Sequence, residues 1–215
     1  CGRCVEECPA GAREVLGTDW TVDGLVAEVV KDRAYFASSG GGVTVSGGEP
    51  TMQAPFVRAF LEALAAAGVP AAVDTCGACG ADALMQVVEP ASLVLYDVKS
   101  MDSARHEEWT GVPNGLILSN LRMLADAGMT LRIRVPLVPG FNDAADDIGA
   151  LGRFVASLPG PPGVNVLPYH AIGTDKHARL GRVGPEFAVN GNAKERALAA
   201  VAALRECGLE ARAGG

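Results

Sequence analysis

No stretch of 18 or more consecutive apolar residues occurs in this sequence, so no membrane-spanning helix is expected. A basic cluster is missing too: 18 Lys and Arg stand against 25 Asp and Glu, a net charge of −7 at pH 7. Nucleic acids and anionic membrane surfaces are recognised through concentrated positive charge, so neither is expected as a partner. No signal-peptide pattern is visible. What is present suits a chain that buries a core: 49% of the 215 residues are hydrophobic and 20% are charged. The length fits one domain, or most of one larger domain.

One further absence is a single cysteine. The first residues read Cys1-Gly-Arg-Cys4-Val-Glu-Glu-Cys8-Pro9, a C-x2-C-x3-C-P run. This is the bacterial iron–sulfur pattern C-x2-C-x2-C-x3-C-P without its first cysteine. Thiolates at this spacing wrap a loop around a [4Fe–4S] cube, and Pro9 turns the chain away without a backbone donor. In two-cluster ferredoxins the last cysteine of such a run serves the other cube, so Cys1 and Cys4 are expected on one cluster and Cys8 on a second. Half a zinc site is the alternative, but no second C-x2-C pair with matching partners is evident. Six cysteines without a secretion signal do not read as a disulfide framework, and thiolate ligands imply a reducing, cytoplasmic setting. The sequence begins inside the motif and lacks an initiator Met, so it is expected to be the C-terminal part of a longer protein.

The texture changes at Thr18, which divides the chain into residues 1–17, an iron–sulfur segment, and 18–215, a domain of alternating helices and strands. Helical apolar spacing runs from Asp23 to Phe36. Pro55 opens a helix that Gly68 stops, and Asn192 with Glu195 reads as a capping box for the last helix. Strands are expected at 42–46, 69–74, 93–98, 130–138 and 164–167, five in all, with the third buried on both faces. Strand–helix repeats with short connections imply a parallel sheet, in a barrel or a partial barrel missing its first strand. A doubly wound open sheet is the alternative.

Polar residues recur just past the strand ends, where βα barrels keep their chemistry. Gly47 and Gly48 allow close approach of a ligand to the backbone, and Glu49 offers a carboxylate to a cation such as an α-ammonium. Asp74 and Thr75 end the second strand, where an acid can bind a metal ion or a substrate hydroxyl. Asp97 and Lys99 flank Val98 and share a pleat face, so both can address one ligand. Arg132 and Arg134 stand among apolar strand residues, where an unpaired cation is costly, so at least one is expected to meet an acid or anion. His170 follows the fifth strand on the same rim. Singly, each also reads as a turn, a cap or a structural ion pair. Cys79, which makes Cys76-Gly-Ala-Cys79, reads as a chance thiol in a loop, and Cys207 as a small core residue.

Taken in order, Ser46-Gly-Gly-Glu49, Asp74-Thr-Cys-Gly77, Asp97-Val-Lys99, Arg134 followed by Pro139-Gly140, and Leu167-Pro-Tyr-His170 resemble the activating enzymes of glycyl radical enzymes, whose prototype is pyruvate formate-lyase activase. The resemblance covers almost the whole chain. The Cys1–Pro9 run is similar to that of the larger activases carrying a ferredoxin-type insert. The resemblance implies an α/β fold, a partial (β/α)6 TIM-type barrel here lacking its first strand and preceded by the tail of that insert. It implies a radical S-adenosyl-L-methionine oxidoreductase. Such an enzyme reductively cleaves S-adenosyl-L-methionine at a [4Fe–4S] cluster, and the resulting 5′-deoxyadenosyl radical takes hydrogen from a glycine of the partner enzyme. Flavodoxin or ferredoxin would supply the electron. By the same resemblance Gly47, Gly48 and Glu49 would hold the methionine amino group. Asp97, Val98, Lys99 and His170 would line the cofactor, and Arg134 could neutralise a carboxylate. Asp74, Thr75 and Asp97 match positions that bind a monovalent cation. The family's C-x3-C-x2-C run does not occur in these 215 residues, so the chain alone is expected to be inactive.

Three other readings compete. One is radical chemistry on a small molecule, and another a Schiff-base aldolase using Lys99, against which the cysteine run and the Gly-Gly-Glu turn both speak. The third is a ferredoxin-like electron-transfer protein fused to a barrel.

Overall fold

The computed structural model describes residues 2–15, 17–170 and 192–214. Six strands, β1 (Val43–Val45), β2 (Ala71–Thr75), β3 (Leu93–Asp97), β4 (Leu131–Leu137), β5 (Gly163–Pro168) and β6 (Ala211–Ala213), form one sheet in the order β1-β2-β3-β4-β5-β6. Every pairing is parallel. A doubly wound sheet reverses its strand order at a switch point, and this one does not, so the partial-barrel reading holds. Among the described residues, β1 and β6 each pair on one side only. The sixth strand was not anticipated: its Ala-Arg-Ala sequence has no β-branched residue.

Among the described residues the α-helices are α1 (Arg3–Glu6), α2 (Val22–Val29), α3 (Arg33–Ser39), α4 (Ala54–Ala66), α5 (Ala81–Val88), α6 (Ser103–Thr110), α7 (Gly115–Asp126), α8 (Ala145–Ala156) and α9 (Ala193–Glu206). The single helix expected from Asp23 to Phe36 is broken by a 3-10 turn at Val30–Asp32. Thr21 caps α2 and Asp102 caps α6 through side-chain oxygens. The capping box expected at Asn192 and Glu195 is not formed, since Asn192 makes no side-chain cap bond.

The strands show why the chemistry gathers on one face. Along β2 and β3 buried residues alternate with half-buried ones. Val73, Thr75, Val94, Tyr96, Ile133, Val135, Val164 and Val166 are buried with Leu61, Leu64, Leu121, Leu124, Val155 and Leu204 of the helices. Full burial of each such Val, Leu or Ile side chain stabilises by about 1.5–3 kcal/mol. The opposite face carries Asp74, Asp97, Arg132 and Arg134, all half-buried. The expectation that β3 is buried on both faces is thereby corrected, because Leu93, Leu95 and Asp97 lie on the half-open side.

Candidate functional site

Because the strands are parallel, their C-terminal ends share one sheet edge, and the loops after β1, β2, β3 and β5 leave from it. Glu49 follows β1, Thr75 ends β2, Asp97 ends β3 with Val98 and Lys99 just beyond, and exposed His170 lies just past β5. In β4, Arg134 is in register with Asp97 of β3 and with Asn165 of β5.

Glu49 is the hub of the first loops. It caps a 3-10 turn, Pro50–Gln53, with Pro50 in the first turn. Its Oε1 accepts from Thr75 Oγ1 at 2.6 Å, Thr51 Oγ1 at 3.1 Å and Thr51 N–H at 3.4 Å. Its Oε2 accepts from Cys76 N–H at 3.0 Å and Cys76 Sγ at 3.1 Å. Burial alone would raise this carboxyl's pKa, but the Thr75, Cys76 and Thr51 donors outweigh it and hold the group below the ordinary Glu value. Both carboxylate oxygens thus accept hydrogen bonds from within the chain. What stays open is the turn before it: Gly47 has φ +121°, and a Cβ on either Gly47 or Gly48 would meet nothing within 4 Å.

The second group is ionic. Arg134 Nη1 donates to Asp74 Oδ2, which also accepts from Ser46 Oγ at 3.0 Å. Arg134 Nε lies 4.0 Å from Asp97 Oδ1, and Lys99 Nζ lies 3.7 Å from Asp97 Oδ2. Arg132 pairs with Glu210 at 2.9 Å, so both strand arginines find acids. Among the described residues, Asp97 Oδ1 is buried without a hydrogen-bond partner. Burial raises the Asp97 pKa and Asp74 adds to this, while Lys99 and Arg134 act in the opposite sense. Of the three positions linked by resemblance to a monovalent cation, Asp74 and Asp97 flank the Arg134 guanidinium, and Thr75 Oγ1 is turned to Glu49.

The cysteine run is arranged differently. Cys4 is exposed in α1 and Cys8 is half-buried, while Cys1 lies outside the described residues. Among the described residues no group of three His, Cys, Asp or Glu side chains could hold a metal ion.

Sequence reasoning missed the parts played by Thr51 and Cys76. The Glu49-Pro50 pair is itself a helix-start signal, and it could have marked Glu49 as a capping residue with a committed side chain. Cys76 carried no role of its own in the sequence, yet its thiol touches the hub carboxylate. Burial, reinforced by Glu49, raises its pKa and keeps it the protonated donor.

Residues 8–151 match the family described as the Radical SAM superfamily. The chain is 42% identical over 184 residues to the isethionate sulfite-lyase activating enzyme of Desulfovibrio desulfuricans, covering 85% of this chain and 59% of that protein. It is 36% identical over 185 residues to the pyruvate formate-lyase 2-activating enzyme of Escherichia coli, covering 85% of this chain and 63% of that protein. Among solved structures, a domain of pyruvate-formate lyase-activating enzyme from Bacteroides vulgatus superposes with a TM-score of 0.67 at 35% identity, covering 81% of this chain and 99% of that domain. The chain therefore spans about three fifths of the length of the curated relatives it matches.

Proposed function

The chain belongs to the radical SAM superfamily, and from that premise we propose that it works in an activating enzyme that generates a glycyl radical on a partner enzyme. The observation that carries this reading is the similarity, over 85% of the chain, to proteins named as activating enzymes of isethionate sulfite-lyase and pyruvate formate-lyase. The partner is a protein substrate of the glycyl radical class. Cytoplasmic location and an electron from flavodoxin or ferredoxin go with the proposal. Among the described residues, no helix is long and apolar enough to cross a membrane.

The residues present fit the amino-acid end of S-adenosyl-L-methionine. Open backbone at Gly47 and Gly48 suits an ammonium, the orphaned Asp97 Oδ1 suits a hydroxyl or N–H donor, and Lys99 suits a carboxylate. When bound, the cofactor supplies a radical after reductive cleavage at a [4Fe–4S] cluster. The chain's own residues orient it. Glu49 fixes the Gly47-Gly48 turn, Lys99 and Asp97 present opposite charges beside it, Val98 lines the same strand end, and His170 adds an imidazole on the same rim. Arg134 keeps Asp74 and Asp97 from facing each other as bare carboxylates. A monovalent cation at Asp74, Thr75 and Asp97 would compete with this guanidinium. The proposed division assigns residues 1–17 to an iron–sulfur segment, with Cys1, Cys4 and Cys8 as ligands, and 18–215 to the barrel. Of these, Cys4 is exposed and Cys8 half-buried, and Cys1 lies outside the described residues.

The test uses protein expressed from its native reading frame and reconstituted without oxygen using iron and sulfide. It is mixed with S-adenosyl-L-methionine, a reductant and the glycyl radical enzyme encoded beside it. A glycyl doublet in the electron paramagnetic resonance spectrum is expected. Cofactor cleavage with no protein radical would favour chemistry on a small molecule instead.

A further inference from the structure

The connection between β2 and α5 supplies two of the donors that hold Glu49, and a third element anchors that connection. Asn120 of α7 is only 3% exposed. Its Nδ2 donates to the carbonyl of Gly77 at 2.9 Å and to that of Cys79 at 2.8 Å. Both acceptors are main-chain oxygens, so only the amide nitrogen can face them and the orientation of the side chain is fixed. Gly77, at φ +66°, lies against the Tyr96 hydroxyl so closely that a Cβ would stand 1.8 Å from that oxygen. The same hydroxyl donates to the carbonyl of Ile117, one turn before Asn120 in α7. The segment from Cys76 to Cys79 is thus seated on Tyr96 and tied from the side by α7. From it, Cys76 N–H and Sγ reach Glu49 Oε2.

We infer that Asn120 is a positioning residue for the Gly47–Glu49 turn, acting through the Gly77 and Cys79 carbonyls and the Cys76 donors on Glu49. The inference rests on the reading of that turn as the place where the cofactor's amino group binds. No side chain of α7 needs to touch the cofactor. A hydrogen-bonded loop transmits position because its donors hold a carboxylate only within a few tenths of an ångström of good geometry. Both Asn120 donors are used on the loop, so replacing the amide by a carboxylate sets oxygen against two carbonyl oxygens. The Cys76 segment then leaves its place, Glu49 Oε2 loses its partners, and the turn loses its set conformation.

The test compares wild type, Asn120→Asp and Leu204→Ala, the last truncating a buried residue of α9, which packs on α8, β5 and β6. Each is expressed from the native reading frame and reconstituted with iron and sulfide. Two readouts are taken: amide hydrogen exchange at Cys76 and Gly77, and the Kd for S-adenosylhomocysteine by calorimetry. Asn120→Asp is expected to exchange at least tenfold faster at Cys76 and to bind at least tenfold more weakly. Leu204→Ala should lower Tm while leaving both readouts within twofold of wild type. Should Asn120→Asp not fold, Asn120→Ser, too short to span both carbonyls, gives the same readouts. A folded Asn120 variant with wild-type exchange, or with wild-type Kd, overturns the inference. Failure of the wild type itself to bind overturns the cofactor reading instead, and exchange at Cys76 then decides alone whether Asn120 holds the loop.

Discussion

Arg134 bonds Asp74 across an intervening strand, although its backbone stands in register with Asp97. The guanidinium therefore lies between two acids that would otherwise repel each other on a half-buried face. With side chains 25% and 18% exposed, the Arg134–Asp74 pair is sheltered enough to count energetically. Arg134→Leu should destabilise the protein by about 1–3 kcal/mol, most of it from leaving Asp74 unpaired. Asp74→Asn in the same background should restore part of the loss, giving a double variant less destabilised than the sum of the singles. Urea denaturation of the four proteins measures this, and simple additivity would remove the proposed coupling.

Glu49 allows a pH test with a defined sign. Its folded pKa is lowered, so its stabilising share is fully present above the unfolded Glu value of about 4.3 and disappears as pH falls through the folded value. Glu49→Gln removes the charge and turns an amide N–H toward donors. At pH 7 it should cost about 1–3 kcal/mol. The gap between wild type and variant should narrow as the pH is lowered below that of the unfolded carboxyl. Denaturation curves at pH 7 and pH 4 check this, and a gap that widens in acid contradicts the Thr75 and Cys76 assignment. In a cofactor-binding assay the same variant should also bind more weakly, because the Gly47-Gly48 turn loses its anchor.

The sheet was largely legible because three of its strands end in the signals that matter: apolar runs closing on Asp74, on Asp97 with Lys99, and before His170, with Gly68 and Pro90 stopping the helices between them. β6 was illegible because Ala211–Ala213 owes its place to pairing with β5, not to its own sequence. The break at Val30–Asp32 was hidden because apolar spacing continues through it with no Gly or Pro. At the site, charged residues two apart on a strand were readable as neighbours, and Lys99 does approach Asp97. The engagement of Glu49 was not, since its partners Thr75 and Cys76 lie 26 and 27 residues away. Asn120 carried even less signal: one amide beside Ser119 in an amphipathic helix means nothing until the loop it faces is in place.

The thiols should differ in reactivity. Burial, with Glu49 close by, raises the pKa of both Cys76 and Cys79. Cys4 is exposed. In metal-free protein at pH 8, iodoacetamide should modify Cys4 at least tenfold faster than Cys76, a difference that urea abolishes. Peptide mass spectrometry over a time course resolves the sites. Cys76 reacting as fast as Cys4 in folded protein would contradict its place as a protonated donor to Glu49. Cys76→Ala, which keeps the backbone N–H on Oε2, should cost less than Glu49→Gln.

Asp97 titrates in the opposite sense to Glu49. Burial raises its folded pKa, so the folded state holds this proton more tightly than the unfolded chain does. Stability is then lost as pH rises from the unfolded Asp value of about 3.9 through the folded value, and the loss is complete above it. Asp97→Asn removes the titration while supplying an uncharged group of the same shape beside Lys99. At pH 8 the variant should be as stable as wild type or more so, and its stability should change less between pH 5 and pH 8. The orphaned Oδ1 gives the functional counterpart, because an acceptor left without a partner in the free protein is one that a ligand donor can complete. Asp97→Asn should therefore weaken binding of S-adenosylhomocysteine by about tenfold, because a charged acceptor is exchanged for a neutral one. Equal stability paired with weaker binding marks a residue kept for its ligand. Lower stability at pH 8 with unchanged binding would instead make Asp97 a structural partner of Lys99 and Arg134.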